Sequence, residues 1–204
     1  MATNAAQTST GRANQKLRTR NAIVHAAAEL SRTGRELTMP EVAKAALVSE
    51  ATAYRYFPDL ASLLTEAIAG QLPSAEEALK PVADSADPVE RIAVGTEFLL
   101  RHVQARQGVV RAMIAATIVR PEQVPARPGL RFGLIDSALA PVADTLPAEA
   151  LTQLKRDLAI VVSAEALFSL TDLHGLDPEA AIVSAVHAAT TLTRAALSPD
   201  SVGR

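Results

Sequence analysis

The chain has no cysteine, and only six of its 204 residues are aromatic. Without thiols there is no disulfide, no thiolate nucleophile and no cysteine-based zinc site, and such a composition fits a reducing cytosol. No apolar run approaches the ~20 residues that a membrane-spanning helix needs. The first twenty residues, MATNAAQTSTGRANQKLRTR, lack the apolar centre of a signal peptide and read as a disordered basic arm. Phosphate-binding glycine loops, GxSxG and HExxH are all missing, and the Asp and Glu residues form no visible acid–base pair. These absences argue against catalysis and leave a cofactor without a binding motif. Asn-Gly and Asp-Gly hairpin signals are absent too, which removes the strongest short-range evidence for strands.

What is present is helical. Alanine and leucine dominate, and apolar residues recur at spacings of three and four. An all-α chain is expected, with helices near 17–32, 38–46, 49–57, 59–73, 75–84, 88–105, 107–119, 130–143, 148–173 and 178–197. Ile23, Ala27 and Leu30 share one face of the first, and Gly34 is placed to end it. Thr38 followed by Glu41 makes a capping box, with Pro40 in the first turn. Ser49 and Asp59 are placed to cap the two helices that follow, and Pro58 closes the shorter of them.

Charge is unevenly spread. Residues 1–60 carry eight Lys or Arg against five Asp or Glu, while 61–204 carry twelve against seventeen. Arg12, Lys16, Arg18 and Arg20 all precede the first acidic residue. A basic end suits contact with nucleic acid and equally suits a solvated tail.

Half of the aromatic residues fall in one stretch, SEATAYRYFPDL (49–60). Short helix, turn, short helix is the geometry of a helix-turn-helix, whose second helix enters the DNA major groove. Val42, Val48, Ala53 and Phe57 would form its small core, with Ala43 small where the helices approach. Ser49, Glu50, Ala51, Thr52 and Arg55 would be exposed, with Tyr54 beside them. Hydroxyls and a guanidinium reach phosphates and base edges, and short side chains let the backbone come near. Spacing alone fits a corner of a helical bundle as well.

The segment from Arg18 to Ile68 resembles the DNA-binding domain of the TetR (tetracycline-repressor) family of bacterial transcription regulators. The resemblance lies in Ile23, Ala26-Ala27, Leu30, Gly34, Leu37-Thr38, Val42-Ala43, Ala46, Val48-Ser49, Thr52, Tyr54, Tyr56-Phe57-Pro58 and Leu63-Leu64, across about fifty residues. It implies a three-helix DNA-binding domain, a divergent helical ligand-binding domain and a homodimer, acting as a repressor released by a small molecule. With the capped helix pair it assigns DNA contact to Thr38, Lys44, Ser49, Glu50, Ala51, Thr52, Tyr54, Arg55 and Tyr56. The arm cations Arg12, Lys16, Arg18 and Arg20 are expected to add phosphate contacts. Three positions depart from the family pattern. Leu47 stands where the turn commonly has glycine, so a differently shaped turn is expected. Glu50 puts an acid near phosphates, which is unfavourable unless it reads a cytosine amino group. Leu60 replaces a lysine that usually contacts phosphate.

The remainder, 71–204, is expected to bind an effector and to dimerise, leaving 1–70 as the DNA-binding part. Phe98, His102, Met113, Thr117 and Phe132 are candidate pocket residues, because small-molecule sites are mostly apolar with few polar groups. Each also fits an ordinary core, and Phe168 could face either a cavity or a dimer seam. The last two helices are apolar nearly all round, which suggests burial on two sides. Val161, Phe168, Ile182, Val186 and Ala189 are the candidate seam residues. The expected partners are a palindromic duplex operator, an unidentified effector and a second copy of the chain, with no membrane, no metal and no cofactor, in the cytoplasm. A helical adaptor without a small-molecule switch is the main alternative, and an enzyme on a helical bundle the second.

Overall fold

Asp, Ser and Thr residues open most of the helices among the described residues. The structure is a computed structural model and describes residues 4–69, 73–119, 122 and 129–198. All regular structure among these residues is helical. The chain divides into two compact units, one of Met1–Gln71 with Arg106–Pro128, the other of Leu72–Ala105 with Gly129–Arg204. Residues 107–119 therefore pack with the N-terminal residues.

In the first unit, helix α1 (Asn4–Ser31) begins well before Leu17. The arm expected to be disordered is helical from Asn4 onward. It contains no proline, and extending an existing helix adds one hydrogen bond per residue fixed. Ile23 and Ala27 are fully buried on α1, Leu30 is half-buried and His25 is exposed. Gly34 takes a left-handed φ of 69° just past the helix end.

Helix α2 (Met39–Ala45) carries the full capping box, Thr38 accepting from the Glu41 N–H and Glu41 from the Thr38 N–H. Helix α3 (Glu50–Tyr56) is capped by Ser49, which accepts from the Thr52 N–H. It stops at Phe57, whose extended φ and ψ of −134° and 110° suit the residue before a proline. Asp59 then accepts from the Ser62 N–H at 2.7 Å and starts α4 (Leu60–Ala69). Val42, Ala43, Ala53, Phe57, Leu63, Leu64, Ala67 and Ile68 are buried, whereas Val48 is only half-buried.

Helix α7 (Gln107–Val119) completes this unit. The Gly108 N–H donates to the Gly34 carbonyl at 3.2 Å, and a Cβ at Gly108 would lie 2.2 Å from the Arg35 carbonyl oxygen. Gly108 is therefore what lets α7 seat on the loop after α1. Gly108→Ala should destabilise the first unit by about 2 kcal/mol, the scale of overpacking a tight site. Thermal unfolding checks this, and an unchanged midpoint would mean that the loop gives way freely.

The second unit holds α5 (Ala75–Leu79), α6 (Pro88–Ala105), α8 (Leu130–Leu139), α9 (Ala148–Val161), α10 (Ala164–Phe168) and α11 (Pro178–Leu197). Helices α5 and α8 both run into a one-turn 3₁₀ helix, at Lys80–Val82 and Ala140–Val142. The sequence repeats there, ALKPVAD at 78–84 and ALAPVAD at 138–144. Arg91 of α6 binds both ends. Its guanidinium donates to the carbonyls of Val82 (2.9 Å), Ala83 (3.4 Å), Ser85 (3.3 Å), Ser137 (3.0 Å) and Ala138 (3.2 Å). The single helix expected over 148–173 is broken at Val162 and Ser163. Ser163 accepts from the Ala166 N–H and donates to the Ile160 carbonyl at 2.7 Å, so it ends one helix and opens the next. The chain then passes through a π-helical turn, Ser169–Leu173.

Gly175, at φ 76°, and Asp177 lead into α11. By length and composition alone α11 could cross a membrane. Its buried residues Ala181, Ile182, Ala185, Ala189, Thr190 and Thr193 instead belong to the packing of this unit, where α11 lies along α6 and α9. Arg101 of α6 holds the start of α11 through Glu179 at 2.7 Å.

Candidate nucleic-acid interface

The turn between α2 and α3 decides how the second helix is presented. The Leu47 N–H donates to the Lys44 carbonyl (3.2 Å) and the Val48 N–H to the Ala43 carbonyl (3.0 Å). These two bonds are the Schellman pattern, which requires a left-handed residue after the C-cap. Leu47 takes that conformation, with φ 56°. The turn thus keeps the glycine-type shape despite the leucine, contrary to the different shape expected. Two backbone hydrogen bonds hold it there against a strain of roughly 1–2 kcal/mol.

Past the turn, α3 buries Ala53 and exposes Glu50, Ala51, Tyr54 and Arg55, with Thr52 and Tyr56 half-buried; Ser49, Lys44 and Thr38 are exposed as well. The nine predicted contact residues thus lie on three consecutive pieces of one unit. The hydroxyls of Thr38 and Ser49 already serve as helix caps, and the Ser49 and Thr52 hydroxyls lie 2.9 Å apart. The Arg55 guanidinium sits over the Tyr56 ring, 5.6 Å from its centroid. Arg35 lies beside α2 and pairs with Glu41 at 2.6 Å. That bond, followed by those from the Thr38 side chain and N–H, holds the Glu41 carboxyl below its ordinary range.

Arg20 departs from its expected role. Instead of acting as a free arm cation, its guanidinium forms a two-pronged ion pair with Glu66 of α4. It also lies over the Phe57 ring, 4.9 Å from the centroid. Its charge is thus engaged in tying α1 to α4 and to the end of α3. Lys16 and Arg18 are exposed on α1, and the side chain of Arg12 lies outside the described residues.

Residues 23–67 match the family model described as "Bacterial regulatory proteins, tetR family". That match, over the helix-turn-helix residues, supports the TetR family. TetR-family regulators are DNA-binding transcription factors and not enzymes. The fold is similar to that in the crystal structure of a TetR transcriptional regulator from Rhodococcus sp. RHA1. That likeness has a TM-score of 0.53 and 24% sequence identity, over 86% of this chain and 96% of the other. No curated protein matches the sequence. The match spans α2, α3 and most of α4, so the TetR-family DNA-binding domain coincides with the helix-turn-helix just described.

The other predicted residues are divided between the two units. Phe98 and His102 are half-buried on α6, and Phe168 is half-buried on α10. Phe132 of α8 is 51% exposed and carries the Arg131 guanidinium 5.0 Å from its ring centroid. Met113 and Thr117 are on α7, in the first unit; Met113 is buried, and the Thr117 hydroxyl donates to the Ile114 carbonyl at 2.8 Å. Among the candidate seam residues, Val161 and Val186 are half-buried, but Ile182 and Ala189 are wholly buried within their own subunit. Those two cannot present apolar surface, because α11 turns them into its own core. Ile160 and Val183, which the sequence reading passed over, are 71% and 66% exposed. Each stands one residue from a predicted seam position, which rotates it by about 100° around the helix.

Proposed function

We propose that this protein is a one-component repressor that binds a palindromic operator as a homodimer and is released by a small molecule. The observation that carries this reading is the α2–α3 pair, capped at both starts and presenting Ser49, Glu50, Ala51, Tyr54 and Arg55 outward. The family assignment supports DNA binding in transcription regulation; dimerisation, effector response and repression are the proposed extension. Residues 1–70 would bind the operator, and 71–204 would supply effector binding and the seam, in the cytoplasm where the operator is. For the seam we propose the outward faces of α9 and α11, with Ile160, Val161, Val183 and Val186. For the effector we propose Phe98, His102, Phe132 and Phe168 of the second unit. An effector that binds better to one dimer geometry shifts the population toward it, away from the geometry that matches successive major grooves.

Arg55 provides the direct test. It is exposed in the last turn of α3 and has no carboxylate partner among the described residues. Removing one phosphate-contacting cation should weaken binding across all sequences and lower the salt slope by about one per subunit. Arg55→Ala, titrated against a selected duplex at several salt concentrations, should show both effects. Unchanged affinity and slope would remove Arg55 from the interface.

A further inference from the structure

Leu47 serves no purpose that the folded chain itself reveals. It is the one non-glycine residue with a positive φ among those described, and its side chain is 93% exposed. A glycine would complete the same turn without strain, since the Leu47 and Val48 N–H groups make the turn's hydrogen bonds whatever the side chain. An exposed leucine gains no burial in return. Strain with no local compensation points to a use at a binding surface. The surroundings say which surface. Lys44 and Ala45 before the turn are exposed, as are Ser49, Glu50 and Ala51 at the start of α3. In a helix-turn-helix, the leading end of the second helix meets base edges in the major groove. There the apolar feature of the bases is the C5 methyl of thymine.

We infer that Leu47 is a specificity-determining residue that packs against a thymine methyl in each half-site. This deepens the DNA-binding reading and rests on it. The full chain should first be used to select a duplex from a randomised pool. Each thymine of that duplex is then replaced singly by deoxyuridine, which removes only the methyl. One thymine per half-site should cost the native protein roughly fourfold in affinity, the worth of one buried methyl-sized group. The same replacement should cost Leu47→Gly nothing. Leu47→Gly should also bind the unaltered duplex less tightly while unfolding about 2–4 °C higher, because the turn is relieved of strain. Leu47→Ala keeps the strained backbone and should lose the methyl dependence equally, which assigns the effect to the side chain.

If no thymine methyl distinguishes the native protein from Leu47→Gly, the inference is overturned. Weaker binding by Leu47→Gly without any methyl dependence overturns it as well, since that would be a sugar contact. A native protein that enriches no sequence overturns the operator-binding reading along with it.

Discussion

Val183→Asp is expected to leave the protein monomeric and to reduce operator affinity at least roughly a thousandfold, toward the non-specific level. Val183 is 66% exposed on α11, and Ile160, 71% exposed, ends α9. Neither needs to move for a second copy to cover it. An isologous contact brings each such patch against its counterpart, so one substitution enters the seam twice. A carboxylate buried in such a seam would carry a large desolvation cost. The loss for DNA would be large because a seven-residue helix offers few base contacts, and in the proposed dimer a second subunit would double them. Sedimentation equilibrium beside operator titration checks the expectation, with Ile160→Asp as an independent probe. A Val183→Asp protein that remains dimeric and binds as before would remove this face of α11 from the seam.

The other large effect is expected at Arg91. Five carbonyls, three from the 3₁₀ turn and loop after α5 and two from the last turn of α8, accept from one guanidinium. A helix C-terminus leaves backbone carbonyls short of intrahelical donors and makes a cation beside it favourable. Arg91→Met keeps most of the side-chain volume but leaves those oxygens to find water in a half-buried setting. A cost of about 3 kcal/mol follows from the usual worth of hydrogen bonds to a charged group, or about 10 °C in the unfolding midpoint of a chain this size. Arg91→Lys should recover only part of this, because a single ammonium cannot span two segments as a planar five-donor fork does. Calorimetry of the three proteins reads the difference directly. A midpoint for Arg91→Met within about 2 °C of the native one would show that the two ends hold together without the clamp.

Local chemistry alone determined most of the helices and several of their starts. Thr38, Ser49, Asp59 and Asp177 cap the helices they precede, Pro58 ends α3, and Gly34 and Gly175 take the left-handed conformations that their places suggest. Such features act within a few residues, so they are visible in the chain order. The exposed face of α3 was legible for the same reason: a seven-residue helix burying Ala53 has only one way to turn its remaining side chains. Tertiary structure decided the rest. Arg20 looked like a free arm cation until α4 brought Glu66 to it from forty-six residues away. Leu47 could have altered its turn, but the Ala43 and Lys44 carbonyls hold it left-handed. The break at Ser163 was hidden because serine inside an apolar run fits both a helix interior and a cap. On α11 the residues on every side are apolar or small, so periodicity could not say which of Ile182 and Val183 faces inward. Packing against α6 and α9 settled it, burying Ile182 and leaving Val183 exposed. A pattern without contrast carries no phase, and only a neighbouring helix supplies one.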